Sequence, residues 1–274
     1  MTPETLLTHW LERQLPEQAS EWLLAHCERL RGGVSERDFN LAISLAPRRL
    51  GKADLVLHQT DLADAHSARA GWDPRGLSVD QAGRIVLLLA GGGSGAAFAA
   101  RLHGLLATAD LAESIAFYRG LPLYPSPELH LARAREGART SMRPVFESVA
   151  HANPYPADFF DEAAWNQLVL KALFIETTLA PIQGLDRRGN LPLMRMLCDY
   201  AHERWAAGRK VSPELWRCVG PWADEGALDD LAHVLRTGDP AERAAAQAAL
   251  DCPRRGPGRH DPASVPQRED GHVH

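Results

Sequence analysis

The sequence predicts an all-α protein of stacked helical hairpins, and three observations carry that reading. Apolar residues recur at helical spacing along most of the 274 residues. Helix-start signals are frequent: Ser78-Val79-Asp80-Gln81 and Asp110-Leu111-Ala112-Glu113 have the spacing of capping boxes. Ser126-Pro127-Glu128 and Ser212-Pro213-Glu214 place a cap before a proline and an acid. Alternating β-branched runs bounded by Asn-Gly or Asp-Gly turns do not occur.

In chain order, periodicity and caps place helices near 3–14, 17–31, 35–46, 78–90, 95–108, 110–119 and 127–136. Further helices fall near 140–151, 160–176, 190–207, 212–218, 224–236 and 240–250. Gly32, Gly137 and Gly208 stand where C-caps belong. The stretch from about 48 to 76 carries no clear period and reads as irregular.

The last pair suggests the architecture. Leu228 to Leu235 is a short helix, followed by Gly238-Asp239-Pro240 and a second helix through Leu250. Asp239 caps, Pro240 begins the helix, and alanines let two helices approach closely. The pattern resembles the second half of a HEAT repeat, which points to an α-solenoid-like stack. An ordinary αα-hairpin closing an irregular bundle is the alternative. Residues 1–252 read as one helical domain. From Pro253 to His274 there are four prolines, three glycines and little to bury, so a disordered tail is expected.

Composition excludes several classes. Hydrophobic residues make up 45% and charged residues 24%, which suits a soluble globular chain and rules out a disordered or fibrous one. A net charge of −5 argues against a nucleic-acid binder. Cys27, Cys198, Cys218 and Cys252 show no CxxC spacing, so neither zinc nor a disulfide framework is expected, and a reducing cytoplasm is. The first residues carry no basic-then-apolar signal peptide. The longest uncharged stretch, Ile85 to Ala100, has 16 residues with four glycines, against about 20 for a membrane span. Peripheral membrane contact stays open.

Gly91-Gly92-Gly93-Ser94-Gly95-Ala96 imitates a dinucleotide loop. That chemistry needs a strand before the loop and an acid ending a second strand. The cap at Ser78 predicts a helix instead, and no β-rich run follows. The loop reads as a turn between two helices, and no cofactor is expected.

The candidate site residues are polar groups on strongly apolar segments. Asn153-Pro154-Tyr155-Pro156 is a rigid turn leading into a helix that is apolar nearly all round. Asn166, Gln167 and Lys171 are its exceptions, and Lys171 needs an escape to solvent or a carboxylate partner. Asp186, Arg187 and Arg188 lie in a polar loop, where paired arginines bind an anion or satisfy helix-end carbonyls. Asp199, His202 and Glu203 share one helix face. An acid-oriented histidine suits acid–base work, and a structural network is the plainer reading. HExxH is not completed, since position 206 is alanine. Trp205, Trp216 and Trp222 are core anchors or an interaction surface.

Three runs carry a family resemblance. "WDPRGLSVDQAGRIVLLLA", "NPYPADFFDEAAWNQLVLKALF" and "GLDRRGNLPLMRMLCDYAHERWAAGRKVSPELWRCVGP" resemble the EboA family of bacterial proteins over roughly 40–225. The resemblance implies a role in making or exporting secondary-metabolite precursors across the cytoplasmic membrane. It implies partners among the products of the same gene cluster, a UbiA-like membrane prenyltransferase among them. It implies a cytoplasmic place, with the inner-membrane surface open. It transfers no catalytic residue.

Two functions follow. The first is a non-enzymatic helical adaptor holding cluster partners or a precursor. The second is a small-molecule binder or enzyme with a polar pocket around Lys171 and His202. Candidate ligand- or partner-binding residues are Asn166, Lys171, Asp186, Arg187, Arg188, Asp199, His202, Glu203 and Trp205; no catalytic or metal residue is assigned.

Overall fold

The computed structural model describes residues 1–255. Among them 71% are helical and no strand occurs; two isolated bridges pair Asp54 with Ser78 and His151 with Ile182. They divide into two compact units, Met1–Arg188 and the residues from Gly189 onward.

The first unit begins with α1 (Pro3–Glu12), α2 (Glu17–Arg31) and α3 (Glu36–Leu50). The hydroxyls of Thr2 and Ser35 cap α1 and α3. Then come α4 (Gln59–Ala68), α5 (Val79–Gly91), α6 (Gly95–Thr108) and α7 (Leu111–Arg119). Both capping boxes form. The Ser78 N–H donates to Gln81 Oε1 at 3.3 Å, and the Glu113 N–H donates to Asp110 Oδ1 at 2.8 Å. Next are α8 (Leu131–Arg139), α9 (Arg143–Ala150), α10 (Tyr155–Phe159), α11 (Glu162–Phe174) and the single turn α12 (Leu185–Arg188). The glycine-rich segment is a helix–turn–helix, with Gly93 and Gly95 at φ 75° and 54°.

The unit gathers around α5. Ile85, Val86, Leu87 and Leu88 have no exposed surface, and α5 packs against α1, α2, α3 and α7. In a stack of hairpins each helix meets its chain neighbours, whereas α5 meets helices well before it and one after it. Gly91 makes part of this possible, because a Cβ there would lie 2.9 Å from Leu30 and Phe39. In the first two turns of α5, Arg84 and Asp80 are 2% and 3% exposed and joined at 2.7 Å.

Three expectations are corrected. The stretch read as irregular contains α4. Only Asp61 and Ala65 of that helix are buried, so it shows no apolar period. It is held by a bidentate ion pair from Arg13 to Asp61, 2.6 and 3.1 Å. The turn at Asn153 opens a short helix: Pro154, at φ −73°, precedes it, and Pro156 stands in its first turn, where a proline is tolerated. The polar loop at 184–190 contains α12. Boundaries also move: α3 continues through Pro47 to Leu50, and 127–130 is a 3-10 turn before α8.

Asn153 ties this unit together. Its Nδ2 donates to the carbonyls of Tyr118 (3.0 Å) and Ser148 (3.1 Å), and its Oδ1 accepts the Tyr155 N–H (3.0 Å). Nearby, His130 is fully buried, and its Nε2 donates to the Pro125 carbonyl at 2.9 Å. Its ring lies 6.2 Å from that of His103. Burial pushes both imidazoles below their ordinary pKa, so folding favours the neutral form. Below a pH of about 6.5 the unfolded chain takes up protons that these buried rings resist, and stability falls. We expect Tm to drop between pH 7 and pH 5, and the drop to shrink in His130→Gln. An unchanged drop assigns it to other groups.

The second unit holds α13 (Leu191–Ala206), α14 (Leu215–Val219), α15 (Glu225–Thr237) and α16 (Pro240–Asp251). Asn190, Asp224 and Asp239 cap α13, α15 and α16. The terminal hairpin is present, and α15 packs on α16. Gly220 lets α16 approach: a Cβ there would lie 2.8 Å from the Ala249 Cα. The expected tail lies almost wholly outside the described residues. No helix among those described is long and apolar enough to cross a membrane.

Candidate functional site

The sequence-predicted residues fall into separate groups. In the first unit, α11 carries Asn166 into the interior, where it is 3% exposed. Lys171 lies six residues beyond Trp165, about 9 Å along the helix axis. Its Nζ donates to the Arg139 carbonyl at 2.6 Å, at the C-terminal end of α8. The partner is a main-chain oxygen where a carboxylate was one of two expected solutions. Partial burial lowers the Lys171 pKa. This bond is solvent-exposed, and a hydrogen bond contributes at most about 0.5–1.5 kcal/mol. Lys171→Met should therefore lower stability by about 1 kcal/mol or less in a denaturant titration, well short of a broken buried ion pair.

The arginine pair divides its work. Arg188 donates through Nη1 to the carbonyls of Ala157 (2.9 Å) and Phe160 (2.8 Å), closing the end of α10. Its guanidinium also lies 5.1 Å from the Trp165 ring centroid. Burial is the main cause lowering its pKa. Arg187 is 60% exposed and donates to Asp158 Oδ1 at 3.0 Å. Arg69 takes the other oxygen of Asp158 at 2.6 Å. Asp186 is exposed. One carboxylate thus sits between two guanidinium groups, an arrangement in which Asp158 already fills the place an anion would take.

The second unit places the histidine. His202 projects from α13, and its Nε2 lies 2.6 Å from Asp230 Oδ1 on α15. The imidazole is 55% exposed and the carboxylate 12%. Asp199 and Glu203, expected to share its face, are exposed. The Cys198 thiol lies 3.8 Å from Met194 Sδ; burial first, and the charge of the nearby Asp230 second, push its pKa up to about 12. That thiol is protonated at neutral pH and is no nucleophile. Trp205 follows on α13. It stacks on Trp216 at 5.9 Å and 22°, and meets His233 at 4.9 Å and His202 at 5.7 Å. Trp216 is 1% exposed, so a buried ring fixes a partly exposed one.

Asp158, Asp230 and His233 were missed from sequence. Asp230 had a signal: it lies on the face of α15 that buries Ala227, Leu231 and Val234. An acid on an apolar face needs a partner. Asp158 had none, because Arg69 stands 89 residues away. Among the described residues, no group of three His, Cys, Asp or Glu side chains could hold a metal ion.

Fold and sites together define a helical protein whose candidate polar groups, where their contacts are resolved, are held by main-chain carbonyls and neighbouring acids. The chain belongs to the EboA family: the family model described as metabolite traffic protein EboA matches residues 3–220. The match takes in all but the first two residues of the first unit and ends before α15. No curated protein and no solved structure matches the chain.

Proposed function

We propose that this member of a metabolite-traffic family acts as a non-enzymatic helical adaptor. It holds other products of its gene cluster, a UbiA-like membrane prenyltransferase among them, at the cytoplasmic face of the inner membrane. The observation that carries this reading is Phe174. It ends α11, the helix that supplies buried Trp165, Leu168, Val169 and Leu173, and yet is 74% exposed. Lys171 lies one turn before it, and the Lys171–Arg139 bond brings the start of the 140–142 turn to the same helix end. That turn carries Met142, 51% exposed. A large aromatic on a rigid helix end, with a methionine and cations near by, has the composition of a protein-binding hot spot.

Affinity purification of the tagged full chain from cells carrying the whole cluster tests this. Recovery of cluster products with it is expected. Recovery of the chain alone, under conditions that retain other known complexes, contradicts it.

A further inference from the structure

We propose that His202, Trp205 and His233, on α13 and α15, form a binding site for a planar aromatic ring that carries a hydroxyl or N–H donor. The proposal goes beyond the adaptor reading and does not rest on it.

Two independent features point to a ligand. The first is the aromatic shelf. A partly exposed tryptophan usually rests on aliphatic neighbours. Trp205 instead rests on the buried ring of Trp216, offset at 5.9 Å and 22°, with His233 edge-on at 4.9 Å. The ring is therefore held in one orientation without a ligand, and stacking a further ring on this group costs little ordering entropy.

The second feature is the dyad. Asp230 accepts the Nε2 proton of His202 at 2.6 Å, which orients the ring and fixes its tautomer. In the neutral imidazole the lone pair is then on Nδ1. That nitrogen belongs to a ring 55% exposed and 5.7 Å from Trp205. A hydrogen-bond acceptor of set orientation thus stands beside an aromatic shelf of set orientation. The complementary molecule has a flat π-face and a donor on its rim. Asp230 is well chosen to hold this arrangement. It sits on the buried face of α15, its carboxylate 12% exposed, beside the buried Cys198. Asp230 and His233 lie beyond the residues matched by the family model, and His202 and Trp205 within them.

Equilibrium dialysis of the purified full chain at pH 8, against 2-naphthol and 2-methoxynaphthalene, tests the proposal. The two share the flat ring, and the ether lacks the donor. We expect 2-naphthol to bind about five- to tenfold more tightly, as one hydrogen bond provides. Trp205→Leu should weaken both by about tenfold, and Trp205→Phe should retain most of the binding. In Asp230→Asn the amide donates to Nε2, moves the imidazole proton to Nδ1, and abolishes the preference for naphthol while leaving ring binding. His202→Phe, which keeps an aromatic there, should lose the same preference. Thermal melts of each variant separate these effects from unfolding. Equal affinity for the two probes overturns the proposal, as does no binding of 2-naphthol at 1 mM or naphthol binding unchanged in both Trp205→Leu and Asp230→Asn.

Discussion

Replacing Arg84 with methionine lowers the stability of the protein by about 3–5 kcal/mol, the cost of stranding a buried charge. Arg84 and Asp80 are side chains of the central helix α5, 2% and 3% exposed, with Nη1 and Oδ2 2.7 Å apart. Ser78 donates a further bond to Asp80 at 2.6 Å, and Glu113 approaches Arg84 from α7 at 3.8 Å. Methionine keeps the volume of the arginine stem and removes its charge. Asp80 is then left in an apolar helix bundle with one hydroxyl as its remaining partner. Replacing both, with Arg84→Met and Asp80→Leu, should recover most of the loss, because no charge is then buried. Urea titrations of the two variants measure the difference. A loss below about 1 kcal/mol in the single variant would mean that water reaches the pair.

Asn153→Ala comes next in size, at about 3 kcal/mol or more. The side chain satisfies three buried main-chain groups: the carbonyls of Tyr118 and Ser148, and the Tyr155 N–H. Each group left buried without a partner costs about 1–3 kcal/mol. The contacts join the end of α7, the end of α9 and the start of α10, so the loss falls on the docking of three elements. Asn153→Asp turns a carboxylate oxygen toward the same two carbonyls in a buried site, and should be at least as destabilising as alanine. Equal stability of Asn153→Ala and the native chain would contradict the contact set.

Much of the helical plan was legible because caps and apolar periods agree locally. Ser78, Asp110 and Asp239 begin helices where their spacing says they should. The glycine-rich imitation of a nucleotide loop was resolved by the Ser78 cap and the lack of a second β-rich run. Helix α4 was not legible, since its stability comes from Arg13, 48 residues from Asp61. The dominance of α5 was half legible: its apolar run stands out, whereas the buried Arg84 looks like the charged edge of that run.

The candidate site was legible in its residues and not in their partners. His202 was chosen because acids stand three residues before it and one after, yet its partner is Asp230, 28 residues further on. Positions three or four apart on a helix share a face, but a neighbouring helix presents its side chains head-on. The choice between local and tertiary partners is therefore made by packing. The buried face of α15, with Asp230 among Ala227, Leu231 and Val234, held that information. Lys171 shows the opposite outcome. Of the two solutions foreseen for its charge the chain uses the solvent-exposed one, and adds the carbonyl of Arg139 as a partner.

The central claim is that this chain works by holding partners, and that Phe174 is part of the contact. The direct measurement is quantitative affinity-purification mass spectrometry of the native chain beside Phe174→Glu, both tagged and expressed at native level in cells carrying the whole cluster. At 74% exposure the substitution leaves the fold intact, and matched thermal melts check this. The account predicts that cluster products co-purify with the native chain and fall at least fivefold with Phe174→Glu. The same recovery from both chains would remove Phe174 from the interface, and recovery of neither set of partners would contradict the adaptor itself.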